Sequence, residues 1–239
     1  MGPWKNKPGN PESIITYLEA LRKGLIQTGV VVLAFSVAGY LFSKSILTFL
    51  QKHTGVTLAY YALSESFLVL LNLALFSALL AAMPFLLFKI LSALRVAFPS
   101  FSRSLFFGFW LGAVFLFYLG ASFCLFITLP YGVKFLLSYQ GTNIEAVISV
   151  KKFISFALFF IFAFGFIFEL PLSMILLGRI GLIKARWLSR YRAYAVLVIA
   201  VLAALLTPTP DVFNMMLMAA PLYLLFEIGL LGMRFWEAK

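Results

Sequence analysis

Two glutamates stand where the surrounding sequence should forbid a charge. Glu169 lies in the stretch Phe164-Gly165-Phe166-Ile167-Phe168-Glu169-Leu170-Pro171, inside an apolar run from Ile154 to Leu177. Glu227 lies in a second apolar run, Val212 to Leu231. A helix over the first run is about 36 Å long, enough to cross a bilayer. A charged side chain at such depth costs at least about 2.5 kcal/mol, so it faces a protein interior, a cavity or a partner. Pro171 removes a backbone donor two residues after Glu169, and a kink is expected there. The competing reading is a protonated glutamate satisfied by a local hydrogen bond in a kinked helix.

No other chemistry gathers around the two acids. Neither has a histidine near it, and the chain holds no phosphate-binding glycine loop, nucleophile elbow or His/Cys metal spacing. An enzyme has little to stand on here: no catalytic residue, metal or cofactor is expected, and energy must come from an ion gradient or a partner. His53 stands alone in a polar stretch and reads as a surface residue. Cys124, the single cysteine, cannot form an internal disulfide.

The elements that must position these acids are membrane spans. With 63% hydrophobic and 11% charged residues, the composition is that of an all-α polytopic membrane protein. The 19 basic residues outnumber the 8 acidic ones, but they cluster at the ends of apolar runs. That pattern points to membrane orientation and to lipid contact rather than to nucleic acid.

Residues 1–12 read as a flexible polar tail, and 13–239 as a single six-span membrane domain. Ser13 is placed to cap a short amphipathic helix with Ile14, Leu18, Leu21 and Leu25 on one stripe. Glu19 then falls on the opposite face with Arg22 and Lys23, either as a surface ion pair or as a docking acid. Spans follow at about 25–42, 67–88 (ending near Pro84), 105–129 (ended by Pro130), 154–177, 194–206 and 212–231. The segment 43–66 reads as an interfacial helix or ordered loop. Asp211, after Thr207-Pro208-Thr209-Pro210, is placed to cap the last span. No small-residue cleavage site follows the first apolar run, so a removed signal peptide is not expected.

Six spans put both termini on one side of the membrane. With a cytoplasmic N-terminus, the inner segments hold fourteen basic residues and the outer ones five. The termini are therefore expected in the cytoplasm and the protein in the cytoplasmic (inner) membrane. Helices five and six are expected to be short, the fifth well short of a hydrocarbon core of about 30 Å, so the last hairpin is a candidate for local thinning and partner contact. Spans four and six run in the same direction and carry Glu169 and Glu227 at similar depth in the inner half.

These motifs together resemble the TatC family, the polytopic core of the twin-arginine protein translocase, over about Tyr17 to Phe235. Phe153-Ile154-Ser155-Phe156 through Ala163-Phe164-Gly165 to Phe168-Glu169-Leu170-Pro171 is similar to the family's S-F…A-F-G-x-x-F-E-x-P. Thr207-Pro208…Pro210-Asp211-Val212-Phe213 through Ala220-Pro221 to Phe226-Glu227 is similar to T-P-P-D…P…L-x-E. Ser64-Glu65-Ser66-Phe67 and Leu116-Phe117-Tyr118-Leu119-Gly120 add to the likeness. The resemblance implies a scaffold and receptor that binds twin-arginine signal peptides on its cytoplasmic surface. It also implies recruitment of TatA- and TatB-type single-span partners, possible self-association, and export of folded proteins on the proton-motive force. By position, it assigns signal binding to Arg22, Ser102 and Arg103, with the neighbouring Glu19 as candidate receptor acid, intramembrane roles to Glu169, Pro171 and Glu227, and partner contact to Thr207, Asp211, Phe213 and Met215.

The departures concentrate in the receptor region. The family's H-L-x-E-L-R-x-R reads here as Tyr17-Leu18-Glu19-Ala20-Leu21-Arg22-Lys23-Gly24, so the recognition acid falls on Ala20. Glu19 is displaced by one position, about 100° around a helix. The loop's E-R-R falls on Ser102-Arg103-Ser104, the span-two lysine on Asn72, the aromatic before the loop proline on Ala93, and the span-six glutamine on Met215. Two alternatives stay open: a proton- or ion-coupled secondary transporter using Glu169 and Glu227, and a scaffold paralogue that does not read twin-arginine signals.

Overall fold

Long apolar runs with no water to satisfy their backbone groups fold as helices, and the chain is mostly helical. The computed structural model describes residues 11–97, 102–138, 148–206 and 212–237. Its helices are α1 (Pro11–Thr54), α2 (Leu63–Ala97), α3 (Arg103–Phe123), α4 (Leu129–Ser138), α5 (Val150–Phe168), α6 (Leu170–Arg179), α7 (Ala185–Arg190), α8 (Arg192–Leu206) and α9 (Val212–Glu237). Two short strands, β1 (Leu58–Ala59) and β2 (Ile148–Ser149), form a two-stranded sheet. Among the described residues, five stretches are long and apolar enough to cross a membrane: 17–54, 64–95, 103–135, 150–179 and 218–236. A sixth apolar helical stretch, Arg192–Ala204, is shorter, as expected of the fifth helix, whereas the last helix, expected short, runs 26 residues because the apolar pattern continues past Arg234 and the helix ends at Glu237.

Several boundaries differ from the sequence expectation. The separate amphipathic helix, first span and start of the interfacial segment are one helix, α1, of 44 residues. It runs from Pro11, so Ser13 lies within its first turn. It ends where Gly55 takes φ +67°, a left-handed conformation that glycine adopts without strain. Pro84 does not end its span but sits inside α2. Pro130 does not end one either. A π-turn over Cys124–Thr128, with the Leu129 N–H donating to the Cys124 carbonyl, leads straight into α4. The wider turn accommodates the proline without exposing backbone to lipid.

The chain packs as two compact units. In the first (1–52, 58–115, 149–155), α1 and α2 run antiparallel in close contact. A Cβ on Gly39 would lie 2.8 Å from the Ala74 carbonyl oxygen and 2.6 Å from Ser77 Oγ, while one on Gly24 would meet Lys89 Cβ at 3.0 Å. Val69, Leu73, Ala78, Ala82 and Met83 form the buried face of α2. The Trp110 indole N–H of α3 donates to the Pro84 carbonyl at 2.9 Å. Glu65 joins the starts of α2 and α5: its carboxylate accepts from the Tyr61 N–H (2.7 Å), the Lys151 N–H (3.0 Å) and the Ser149 hydroxyl.

In the second unit (53–57, 116–148, 156–239), the end of α3 packs on α5. A Cβ on Gly120 would lie 2.5 Å from the Phe164 carbonyl oxygen, and one on Gly165 would lie 2.5 Å from the Phe117 ring. Phe117 and Phe164 are both fully buried. Helices α6 and α9 run side by side in parallel. Gly229 abuts the Pro171 Cα and Met174, Gly232 abuts Ile175, and Gly178 abuts Met233. A Schellman turn closes α6: Gly181 (φ +77°) donates to the Gly178 carbonyl and Leu182 to that of Leu177.

Candidate functional site

The break expected at Pro171 is present. Helix α5 stops at Phe168, Glu169 sits in the turn at φ −71° and ψ −13°, and α6 starts at Leu170. The Glu169 N–H donates to the Phe166 carbonyl (3.1 Å), and its own carbonyl accepts from the Ser173 N–H (2.9 Å). Pro171 has no N–H to offer, so the Ile167 carbonyl loses its helical donor and the ladder is interrupted at the acid. Glu169 Oε1 is buried and has no hydrogen-bond partner among the described residues. The local hydrogen bond required by the kinked-helix alternative is not made at this oxygen.

The parallel register of α6 and α9 fixes the second acid relative to the first. Pro171 packs on Gly229, and stepping back two residues along each chain reaches Glu169 and Glu227. The two acids therefore lie at one level, but they are used differently. Glu227 Oε2 accepts from Arg192 Nη2 at 2.8 Å, and its Oε1 accepts from the Tyr223 hydroxyl at 2.9 Å. Arg192 opens α8, so this ion pair ties the short helix to α9. Sequence reasoning missed Arg192 as a partner; its one signal was a basic residue directly before a short apolar run.

Beside that pair, α8 and α9 enclose an open apolar hollow of about 400 Å³, lined by Val196, Ile199 and Ala200 on one side and Met216, Ala219 and Tyr223 on the other. Met215 is half-buried on the same helix. Phe213 belongs to the first turn of α9, while Thr207 and Asp211 lie outside the described residues.

The receptor positions separate clearly. Glu19 and Arg22 are exposed on α1, and Glu19 makes no ion pair with Arg22 or Lys23. Ala20 is half-buried one turn before Gly24, whose position is covered by Lys89. The acid has thus moved off the face on which the alanine sits. Ser102 is the N-cap of α3, its Oγ accepting from the Leu105 N–H at 3.4 Å and its carbonyl from the Phe106 N–H at 3.0 Å. Arg103 is exposed beside it. No hydrogen bond or ion pair joins Glu19 and Arg22 to Ser102 and Arg103. Among the described residues, no group of His, Cys, Asp or Glu is placed to hold a metal.

Comparison with known proteins gives this arrangement its context. Residues 16–221 match the family model for the Sec-independent protein translocase protein TatC. The chain belongs to the TatC family. The Sec-independent protein translocase protein TatC of Carboxydothermus hydrogenoformans is 32% identical over 96% of each chain. That of Desulforapulum autotrophicum is 31% identical, covering 93% of this chain and 84% of the relative. A crystal structure titled as the twin arginine translocase receptor TatC superposes with a TM-score of 0.78 at 32% identity, over 92% of this chain and 98% of the other. TatC proteins are membrane components of the Tat protein translocase, and Sec-independent protein translocation is the activity this chain shares with its relatives.

Proposed function

We propose that this TatC protein is the scaffold and signal-peptide receptor of a twin-arginine translocase in the cytoplasmic membrane. It has six spans with both termini inside, and works with TatA- and TatB-type single-span partners on the proton-motive force. The observation that carries this reading is Glu169: an unpartnered buried oxygen at a helix break, level with a glutamate already neutralised by Arg192. An acid without a partner of its own is available to one that arrives in the membrane. The apolar hollow between α8 and α9 supports partner contact on the last hairpin. Export then follows as recognition of a precursor's arginines at the inner surface and assembly of partner helices around the polar level. Arginine is always charged and pairs with carboxylates through two parallel hydrogen bonds, which suits an acid-bearing surface.

A second reading rests on a specific feature of the receptor end. Ala20 stands on the partly buried face where the family has its acid, Glu19 projects elsewhere, and Ser102 is occupied as a helix cap. A scaffold that recruits partners without reading arginines itself fits those three residues. Site-specific crosslinking of the membrane-embedded protein to a signal peptide bearing Arg-Arg, against its Lys-Lys twin, decides between the two. Clear preference for Arg-Arg is expected of a receptor, and Glu19→Ala should then abolish it. Equal labelling of both peptides, with single-span partners still co-purifying, overturns the receptor role and leaves the scaffold.

A further inference from the structure

Between Glu169 and Asp211 the chain has no acidic residue, yet it carries Arg179, Lys184, Arg186, Arg190 and Arg192. Arg192 is spent on Glu227, and Arg179 stacks on the Trp236 ring at 4.1 Å. Arg186 and Arg190 are different. They sit at i and i+4 on α7, exposed on one face, and neither has a carboxylate partner among the described side chains. Like charges at that spacing repel, so the protein alone does not stabilise this arrangement. A third guanidinium joins them from α9: Arg234 Nη2 is held at 2.8 Å by the hydroxyl of Ser189, the residue beside Arg190.

An aromatic row runs beside this cluster. Trp187, Tyr191 and Tyr194 are exposed, with successive ring centroids 4.8 and 5.7 Å apart. Exposed tryptophan and tyrosine at the end of an apolar helix mark the level of lipid headgroups. Arg186 and Arg190 on α7 and Arg234 tied to Ser189 share this end of the unit, and guanidinium donors matched to phosphate oxygens have the chemistry of a phosphodiester site. The short helix α8, about 22 Å long, begins at this level, and a span that short is met by a locally thinner bilayer or by helix association.

We propose that Arg186, Arg190 and Arg234, gathered around Ser189, bind the headgroup of an anionic phospholipid of the inner leaflet. An acidic peptide would meet the charges but would leave the exposed aromatic row without apolar cover, whereas a lipid satisfies both. This assignment rests on the membrane orientation given under Proposed function, but its test needs no export.

Full-length detergent-solubilised protein is titrated with phosphatidylglycerol or phosphatidylcholine, and bound lipid is counted by native mass spectrometry. The parent should hold phosphatidylglycerol in clear preference. Arg186→Gln with Arg190→Gln should weaken it about tenfold or more, while Lys44→Gln with Lys52→Gln leaves it unchanged. Arg234→Gln, on a different helix, gives the same reading if the α7 double variant does not fold. Equal retention of both lipids by the parent, or undiminished phosphatidylglycerol binding in the arginine variants, overturns the proposal. So does binding of poly-glutamate with no preference between the lipids, which would place an acidic peptide there instead. A protein that loses this lipid preference yet still discriminates Arg-Arg from Lys-Lys peptides would fail here alone.

Discussion

At the scale of single residues, two glutamates at one level of the α6–α9 pair have opposite energetics. Glu227 is held by a guanidinium and a phenol, so removing it strands Arg192. Glu169 has a buried oxygen with no hydrogen bond, and a buried polar group left unsatisfied costs about 1–3 kcal/mol. Evolution retains such a cost where function needs the group. Glu169→Leu should therefore raise the thermal midpoint of the detergent-solubilised protein, by an amount equivalent to about 1–3 kcal/mol, while export of a folded precursor falls and membrane insertion is unchanged. Melting curves and a precursor-export assay on the same variant check both halves. A fully active, more stable variant would remove Glu169 from the mechanism, and a less stable one would show that the carboxylate already has a favourable partner.

At the scale of elements, the spans were legible because periods of apolar residue set helix length, and the Glu169 break was legible because proline lacks an N–H. The prolines at 84 and 130 misled for the same chemical reason. In water a proline commonly ends a helix, since freed carbonyls are solvated there. In hydrocarbon the helix continues: α2 runs on past Pro84, and Pro130 follows directly on a π-turn. In the sequence Glu65 reads only as part of a motif, because its partners Ser149 and Lys151 lie more than eighty residues away. Glycine contacts were likewise invisible one residue at a time. Gly120 meets the Phe164 carbonyl, a backbone atom that cannot swing aside, whereas Gly108 and Gly132 have nothing within 4 Å. Gly120→Ala should destabilise the protein by about 1–3 kcal/mol through overpacking. Gly108→Ala should instead stabilise it by up to about 1 kcal/mol through helix propensity. Thermal unfolding of the two variants side by side checks the sign as well as the size; equal behaviour would mean that α3 and α5 do not approach closely at Gly120.

At the scale of the whole molecule, the sequence revealed the two acids, but their relation waited on the parallel register of α6 and α9, a fact of packing that no local pattern encodes. Arg192 escaped for a related reason: thirty-five residues separate it from Glu227, and a basic residue before an apolar run normally reads only as a topology marker. Topology itself turns on α8. Fifteen residues give about 22 Å, less than a hydrocarbon core of about 30 Å, so its crossing depends on thinning or on α9 beside it. Cys124 is fully buried, which leaves the parent silent to a membrane-impermeant maleimide and allows single cysteines to report sidedness. Lys52→Cys should label in intact cells, while Lys23→Cys and Arg186→Cys label only after permeabilisation. Phe235 is 76% exposed at the far end of α9 and provides the deciding position. If α8 crosses, Phe235→Cys stays protected together with Arg186→Cys, because two spans separate them. If Phe235→Cys reacts in intact cells while Arg186→Cys does not, α8 turns back within the membrane and the termini face opposite sides. The positive-inside count would then hold only for the first four spans, and the parallel packing of α6 on α9 at Pro171 and Gly229 would not be the arrangement adopted in the membrane.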